Sequence, residues 1–265
     1  MNTENPNSTP RQQRIATAMG IEGMTSAAGL AIMDVFIERS RQPGGTGAFV
    51  EFGTYKGRTA ALFAQHLGPQ DMLHAVEQAD YLQIDTLRQI SPRVTWHRLG
   101  SEAFCAGGLS DSLAGQRVLA SHHDASHFFD NVATELRSMP ALMAPGGVII
   151  LDDFNDAFAQ VRAAYYQLRY VEAFPYELLV IGFNKCVLVH QDDYDAYEAM
   201  VLDRLLDELR DGGVQATLFR TDVHRHARGF FVRAKANASE PDRYGTAFWG
   251  DRFYRPSASV LANRQ

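Results

Sequence analysis

The stretch AFVEFGTYKGRTAALFAQH, residues 48–66, decides the fold. Val50 and Phe52 read as strand residues in a short buried run. Gly53 and Gly57 bracket Thr54, Tyr55 and Lys56, and Ala60 to Ala64 then supplies an apolar helical stretch. A strand that passes through glycines into a helix N-terminus is how α/β proteins hold nucleotide-like ligands. The expectation is that Gly53 lets a ligand approach the backbone and Gly57 lets the helix start close to the strand.

The spacing narrows the ligand. It is G-x-x-x-G, not the G-x-G-x-x-G of a dinucleotide site, and the G-x-x-x-x-G-K-[ST] of a P-loop is absent. Tyr55 and Lys56 fill the turn and disfavour an NAD-binding oxidoreductase. Glu51 places a carboxylate where it would repel a pyrophosphate and suit an ammonium, as in a ligand with an amino-acid moiety such as S-adenosylmethionine. A plain strand–turn–helix joint is the bland alternative.

A chain of 265 residues with formal net charge −6 fits one large domain with appendages and disfavours a dedicated nucleic-acid binder. Cys105 and Cys186 form neither a metal spacing nor a disulfide framework. With no basic, apolar leader and no run of about 18 apolar residues, the expectation is a soluble cytoplasmic protein without a membrane span.

Around the opening motif the chain divides into a tail and helical cap (1–47), a ligand-binding core (48–191) and a C-terminal helix and extension (192–265). Residues 1–10 read as a loose tail, and Arg11 to Ser40 as two helices that lie over the ligand or on a partner chain, followed by a Pro/Gly joint. Leu73–Glu77, Val94–Arg98, Arg117–His123 and Val148–Leu151 read as further strands. They alternate with helices over Tyr81–Ile90, Asp130–Met139 and Phe158–Tyr170, while Ala103–Leu113 is less regular. Glu177–Ile181 and Lys185–His190 read as an antiparallel pair closing the sheet. A periodic helix spans Asp193–Arg210, and Val214–Phe219 and Gly229–Val232 are strand candidates. The run HRHAR at 224–228 reads as a solvated loop or a contact for an anionic group. Phe248, Trp249, Phe253 and Tyr254 suggest docking on the chain itself or across a homo-oligomer interface.

Candidate site residues sit at strand exits. Glu77, twenty residues past Gly57, is placed to take ribose hydroxyls. Ser101 is an adenine neighbour. Asp124 leaves the fourth strand, and Asp152 and Asp153 leave the fifth. Three converging carboxylates repel one another unless neutralised, and a hard dication such as Mg2+ would do so and acidify a substrate hydroxyl. Against this, Asp153 could cap the next helix and Asp124 could bond turn amides. His127 faces the site as a candidate base. His122 and His123 alternate faces, so at most one looks at the site.

These residues resemble the class I S-adenosylmethionine-dependent methyltransferases. Within them the chain is similar to the metal-dependent O-methyltransferases of the macrocin and aminocoumarin-sugar type, and to the related cephalosporin-hydroxylase-like group. The segments are VEFGTYKGRTA (50–60), HDASHFFDNV (123–132) and APGGVIILDDF (144–154). The resemblance implies a Rossmann-like α/β fold with a seven-stranded, mostly parallel sheet and one late antiparallel strand. It implies that Glu51, Gly53, Thr54, Tyr55, Lys56 and Gly57 hold the methionine part of the cofactor, with Glu77 at the ribose and Ser101 at the adenine. It further implies that Asp124, Asp152 and Asp153 ligate Mg2+, and that the acceptor is a hydroxyl of a small natural product or sugar. One departure stands out: the family's Asp-Gly-Asp-His loop is here Asp124, Ala125, Ser126, His127, so the suspected base is a serine. A metal-independent N- or C-methyltransferase with His127 as base, and a non-catalytic cofactor-binding relative, are the alternatives.

Overall fold

The computed structural model describes residues 8–41, 45–220 and 229–243. The start of the tail, part of the Pro/Gly joint, the HRHAR run and the aromatic C-terminal tail lie outside the described residues.

Nine strands form one sheet: β1 (Ala48–Phe52), β2 (Met72–Val76), β3 (Val94–His97), β4 (Val118–His123), β5 (Met143–Leu151), β6 (Tyr176–Gly182), β7 (Lys185–His190), β8 (Ala216–Arg220) and β9 (Phe230–Ala234). Their order is β3-β2-β1-β4-β5-β7-β6-β9-β8. β1 to β5 pair in parallel. β7 runs antiparallel to both β5 and β6. The expected seven strands with one late antiparallel member are therefore present. β9 and β8 continue the sheet beyond β6, so the extension after residue 191 adds to the same sheet.

The helices are α1 (Pro10–Met19), α2 (Ala27–Ser40), α3 (Arg58–Gln65), α4 (Ile84–Ile90), α5 (Ser101–Ala103), α6 (Leu109–Leu113), α7 (Phe129–Ser138), α8 (Ala159–Val171), α9 (Tyr194–Asp203) and α10 (Leu205–Asp211). Strand residues alternate between two cores. Phe49, Val148 and Ile150 face the side of α2 and α3, while Val50, Phe52, Ile149 and Leu151 face the side of α7 and α8. Both faces are covered, which is why these strands read as nearly continuous apolar runs.

The cap packs into the fold and also reaches the ligand end, where Met24, Thr25 and Ser26, between α1 and α2, line the cavity at the carboxyl end of the sheet. Thr9 and Gln12 form a capping box that starts α1 behind Pro10, and Ser26 caps α2. Leu30 to Phe36 is apolar on all sides except Asp34, and α2 packs inside the fold against β4, β5 and β7. The helix expected over Asp193–Arg210 breaks at Arg204, whose φ of −129° is not helical. The break lets α9 follow β6 and β7 while α10 follows α2 and β8. Ala103–Leu113 contains a π-turn at Phe104–Gly108, between α5 and α6.

Candidate active site at the carboxyl end of the sheet

Sheet order reverses between β1 and β4, and in such sheets ligands bind beyond the strand ends at that switch point. A cavity of about 860 Å³ lies there, and Gly53, Tyr55, Glu77, Ser101, Asp124, His127, Asp152, Asp153 and Lys185 all line it. Six non-glycine residues among those described have positive φ, and four of them, Tyr55, Asp153, Phe183 and Asn184, are on its wall. Left-handed backbone at non-glycine residues costs energy and gathers at functional sites.

On the cofactor side, Glu77 follows β2 and points back under the Gly53–Gly57 turn. Its carboxylate accepts from the Tyr55 amide and the Ala79 amide, both at 2.9 Å. Ser101 opens α5 beside Gly100 on the same wall. Gly53 has φ +78°, and a β-carbon there would strike the Asp124 and Ala125 backbone. The glycine is thus required by the protein's own β4 exit. Gly57 has φ +106° and caps α3, and a β-carbon there would press on Leu87 and Leu82.

Three expected residues turn elsewhere. Thr54 is buried behind the turn with its hydroxyl toward the Glu51 and Val76 carbonyls. Lys56 pairs with Glu22, 2.6 Å away, off the wall. Glu51 is fully buried beneath the cavity, with Oε1 3.0 Å from His122 Nδ1 and Oε2 without a hydrogen-bond partner. Burial drives its pKa well above the usual carboxylate range. It does not line the cavity, because both faces of β1 are covered.

The three acids line one cavity but fall into two sets that share Asp124. His127 Nε2 lies 2.9 Å from Asp153 Oδ2 and 3.6 Å from Asp124 Oδ1. Burial pushes the Asp124 pKa up to about 7, with Asp152 repelling its charge and His127 opposing the rise. The neighbouring Asp124 carboxylate raises the His127 pKa, helped by Asp153. Asp124, His127 and Asp153 offer three donor atoms within 4.8 Å of one another, as do His122, Asp124 and Asp152. Carboxylate oxygens with one imidazole fit a divalent cation. Ser126 instead holds the loop, accepting from the Phe128 amide at 3.4 Å with its hydroxyl directed at Asn131.

Two residues were not read as site members. Lys185 opens β7, and its ammonium donates to Asp152 Oδ2 while only 2% of its side chain is exposed. Burial works to raise Asp152, and Lys185, His122 and Asp124 together outweigh it, so Asp152 is held below its ordinary range. Asn184 donates to Asp152 at 3.2 Å and also to Asp153. The signal for Lys185 was a lone cation at the head of the apolar strand Cys186–Val189. His122 lies on the site side of β4 and His123 on the other, against Glu135. Burial, with the Lys185 charge, lowers His122 to about 3.

A family model described as a methyltransferase domain matches residues 50–154. With the sheet order, this defines a Rossmann-like methyltransferase fold. No curated protein matches the chain. Among solved structures, one similar fold is a Corynebacterium glutamicum protein, 13% identical over 69% of this chain and 91% of that one, with a TM-score of 0.50. Another is CalS11, a TDP-rhamnose 3'-O-methyltransferase of calicheamicin biosynthesis, 13% identical over 68% and 95%, TM-score 0.49. A third is the mycinamycin-pathway methyltransferase MycE in complex with Mg, SAH and mycinamycin VI, 11% identical over 69% and 54%, TM-score 0.47. Likeness at these identities is likeness of fold. Among the described residues no helix is long and apolar enough to cross a membrane.

Proposed function

We propose that this protein methylates a hydroxyl of a small, sugar-like or natural-product acceptor in the cytoplasm, with a divalent cation such as Mg2+ at the acidic cluster. One observation carries the reading. The Glu77–Ser101 wall and the Asp124–His127–Asp153 cluster are two sides of a single cavity, so a cofactor and an acceptor oxygen can meet between them.

When bound, S-adenosylmethionine supplies an electrophilic methyl group, and a dication lowers the pKa of a coordinated hydroxyl. Glu77 fixes the turn against which the cofactor lies. Asp124, Asp152 and Asp153 are the carboxylates available to a cation. His127, tied to two of them, is positioned to take the hydroxyl proton at Nε2 once its own proton has left. Phe158 packs its ring 4.3 Å from the His127 ring and limits where that imidazole can turn.

The test is calorimetry with S-adenosylhomocysteine, followed by a methyl-transfer screen of hydroxylated acceptors with and without chelator. Micromolar binding and chelator-sensitive transfer to oxygen support the reading. Absence of binding removes the cofactor assignment, and transfer unaffected by chelator removes the cation.

A further inference from the structure

Strand order puts a lysine where a metal ligand set was expected. Cys186 pairs with Leu151 across β7 and β5. Lys185 therefore falls beside Asp152, the first residue beyond β5. Its ammonium donates to Asp152 Oδ2 and, at 3.3 Å, to Thr25 Oγ1. The other Asp152 oxygen accepts from the Asp153 amide at 2.8 Å and from Asn184 at 3.2 Å. A carboxylate has about four acceptor positions, and protein donors fill most of these. The Asp152 side chain is 8% exposed, against 16% for Asp153, 21% for Asp124 and 33% for His127.

We infer that Lys185 is a resident cation for Asp152, and that a divalent ion is held through the outer set Asp124, His127 and Asp153 instead of by the three aspartates together. This rests on the proposed function for the presence of an ion and replaces two roles given there: His127 Nε2 becomes a ligand in place of a base, and Asp152 leaves the ligand set. The inner set, His122 with Asp124 and Asp152, contains the lysine charge and repels a second cation. The outer set has two carboxylates and one imidazole nitrogen. Mg2+ favours oxygen ligands, whereas imidazole suits transition-metal dications. The imidazole therefore favours a first-row transition dication over Mg2+, and Mn2+, which also accepts carboxylate oxygens, serves as the spin probe.

The experiment is Mn2+ titration of the full chain by electron paramagnetic resonance, with pulsed detection of nitrogen coupling. Calorimetry with S-adenosylhomocysteine is run on every variant. Removing Asp152 alone would strand the Lys185 charge and repel the ion indirectly, so the informative variant is the charge-neutral double substitution Asp152→Asn with Lys185→Met. The expected result is one Mn2+ with nitrogen coupling that His127→Gln abolishes. Asp124→Asn and Asp153→Asn should each weaken binding at least tenfold, and the double variant should stay within threefold of the parent. Lys185→Met alone should tighten binding, because it frees a third carboxylate. A parent protein without nitrogen coupling, a double variant that loses tenfold, or no Mn2+ binding at millimolar ion overturns the assignment. Retained S-adenosylhomocysteine binding in those cases leaves the methyltransferase reading intact. Its loss in the parent would undo that reading while the Mn2+ pattern still decides this one.

Discussion

A β-carbon on Gly53 would lie 2.2 Å from the Asp124 carbonyl oxygen. The turn after β1 and the exit of β4 are thus locked backbone to backbone, and the Asp124 amide also bonds the Phe52 carbonyl at 2.9 Å. The Gly53–Gly57 turn and Asp124 are therefore positioned together. Gly53 lines the cavity and at the same time gives clearance to the protein's own β4 exit.

Gly53→Ala is accordingly expected to do two things. Backbone strain at φ +78° costs about 1–3 kcal/mol, and the contact displaces Asp124. Denaturant unfolding should show the first. Weaker binding of both Mn2+ and S-adenosylhomocysteine should show the second. A variant with parental stability and parental affinity for both would disprove the lock.

Glu77 buttresses the turn from the other side. Glu77→Ala leaves the Tyr55 and Ala79 amides without their acceptor, about 1–3 kcal/mol for a buried unpaired group. S-adenosylhomocysteine affinity should fall tenfold or more by calorimetry. Glu77→Gln keeps one oxygen and should fall between the two. Equal affinities in all three proteins would remove Glu77 from the cofactor wall.

What could be read in the sequence was local. Gly53, Gly57, Glu77 and the acids at 124, 152 and 153 each announce themselves by position at a strand exit, and strand exits are set by nearby residues. Glu51 could not be placed, because β1 is buried on both faces, so alternation does not distinguish cavity from floor. Lys185 was hidden for a different reason. It reaches Asp152 only because β7 inserts antiparallel between β5 and β6, and pairing at that distance leaves no mark in the order of residues. The burial of α2 was not legible either: it carries Asp34 and Glu38, and nothing local shows that Asp34 is buried among Arg11, Arg14 and His66.

The cluster sets a pH dependence. Asp124 has a folded pKa of about 7, above its unfolded value, so the folded state keeps a proton that the unfolded state has lost. His127 is likewise raised by its acid partners. Both contributions are present at low pH and are lost as pH rises through the folded values. Asp152 is depressed, so it contributes only above the ordinary carboxylate range and adds no slope near neutrality. His122, lowered to about 3, and His74, lowered to about 4, act in the opposite direction below about pH 6.5, so the test is the difference between two proteins. In chelator, the thermal midpoint of the parent relative to Asp124→Asn should fall as pH rises from 5 to 8, and a difference that is flat or rising would contradict the assignment.

The N-terminal helix is held by charge. Asp34 is fully buried and lies 2.7 Å from Arg11, Arg14 and His66. Arg11 also reaches Glu208 at 2.6 Å and Glu38, and so joins α1 and α2 to α10. Removing one partner of a buried pair costs about 3–5 kcal/mol, because the other charge stays behind. Asp34→Ala should fall at the lower end of that range, since Glu208 still compensates Arg11. Glu38 is half exposed, so Glu38→Ala should cost at most about 1 kcal/mol. The arginines and His66 hold Asp34 well below the usual carboxylate range, although burial alone would raise it. Its contribution is therefore present above the ordinary Asp pKa and is lost as pH falls below it. Chemical unfolding at neutral and at acid pH measures both. Asp34→Ala should approach the parent protein as the pH drops, whereas a gap independent of pH would mean that packing, not charge, secures the helix.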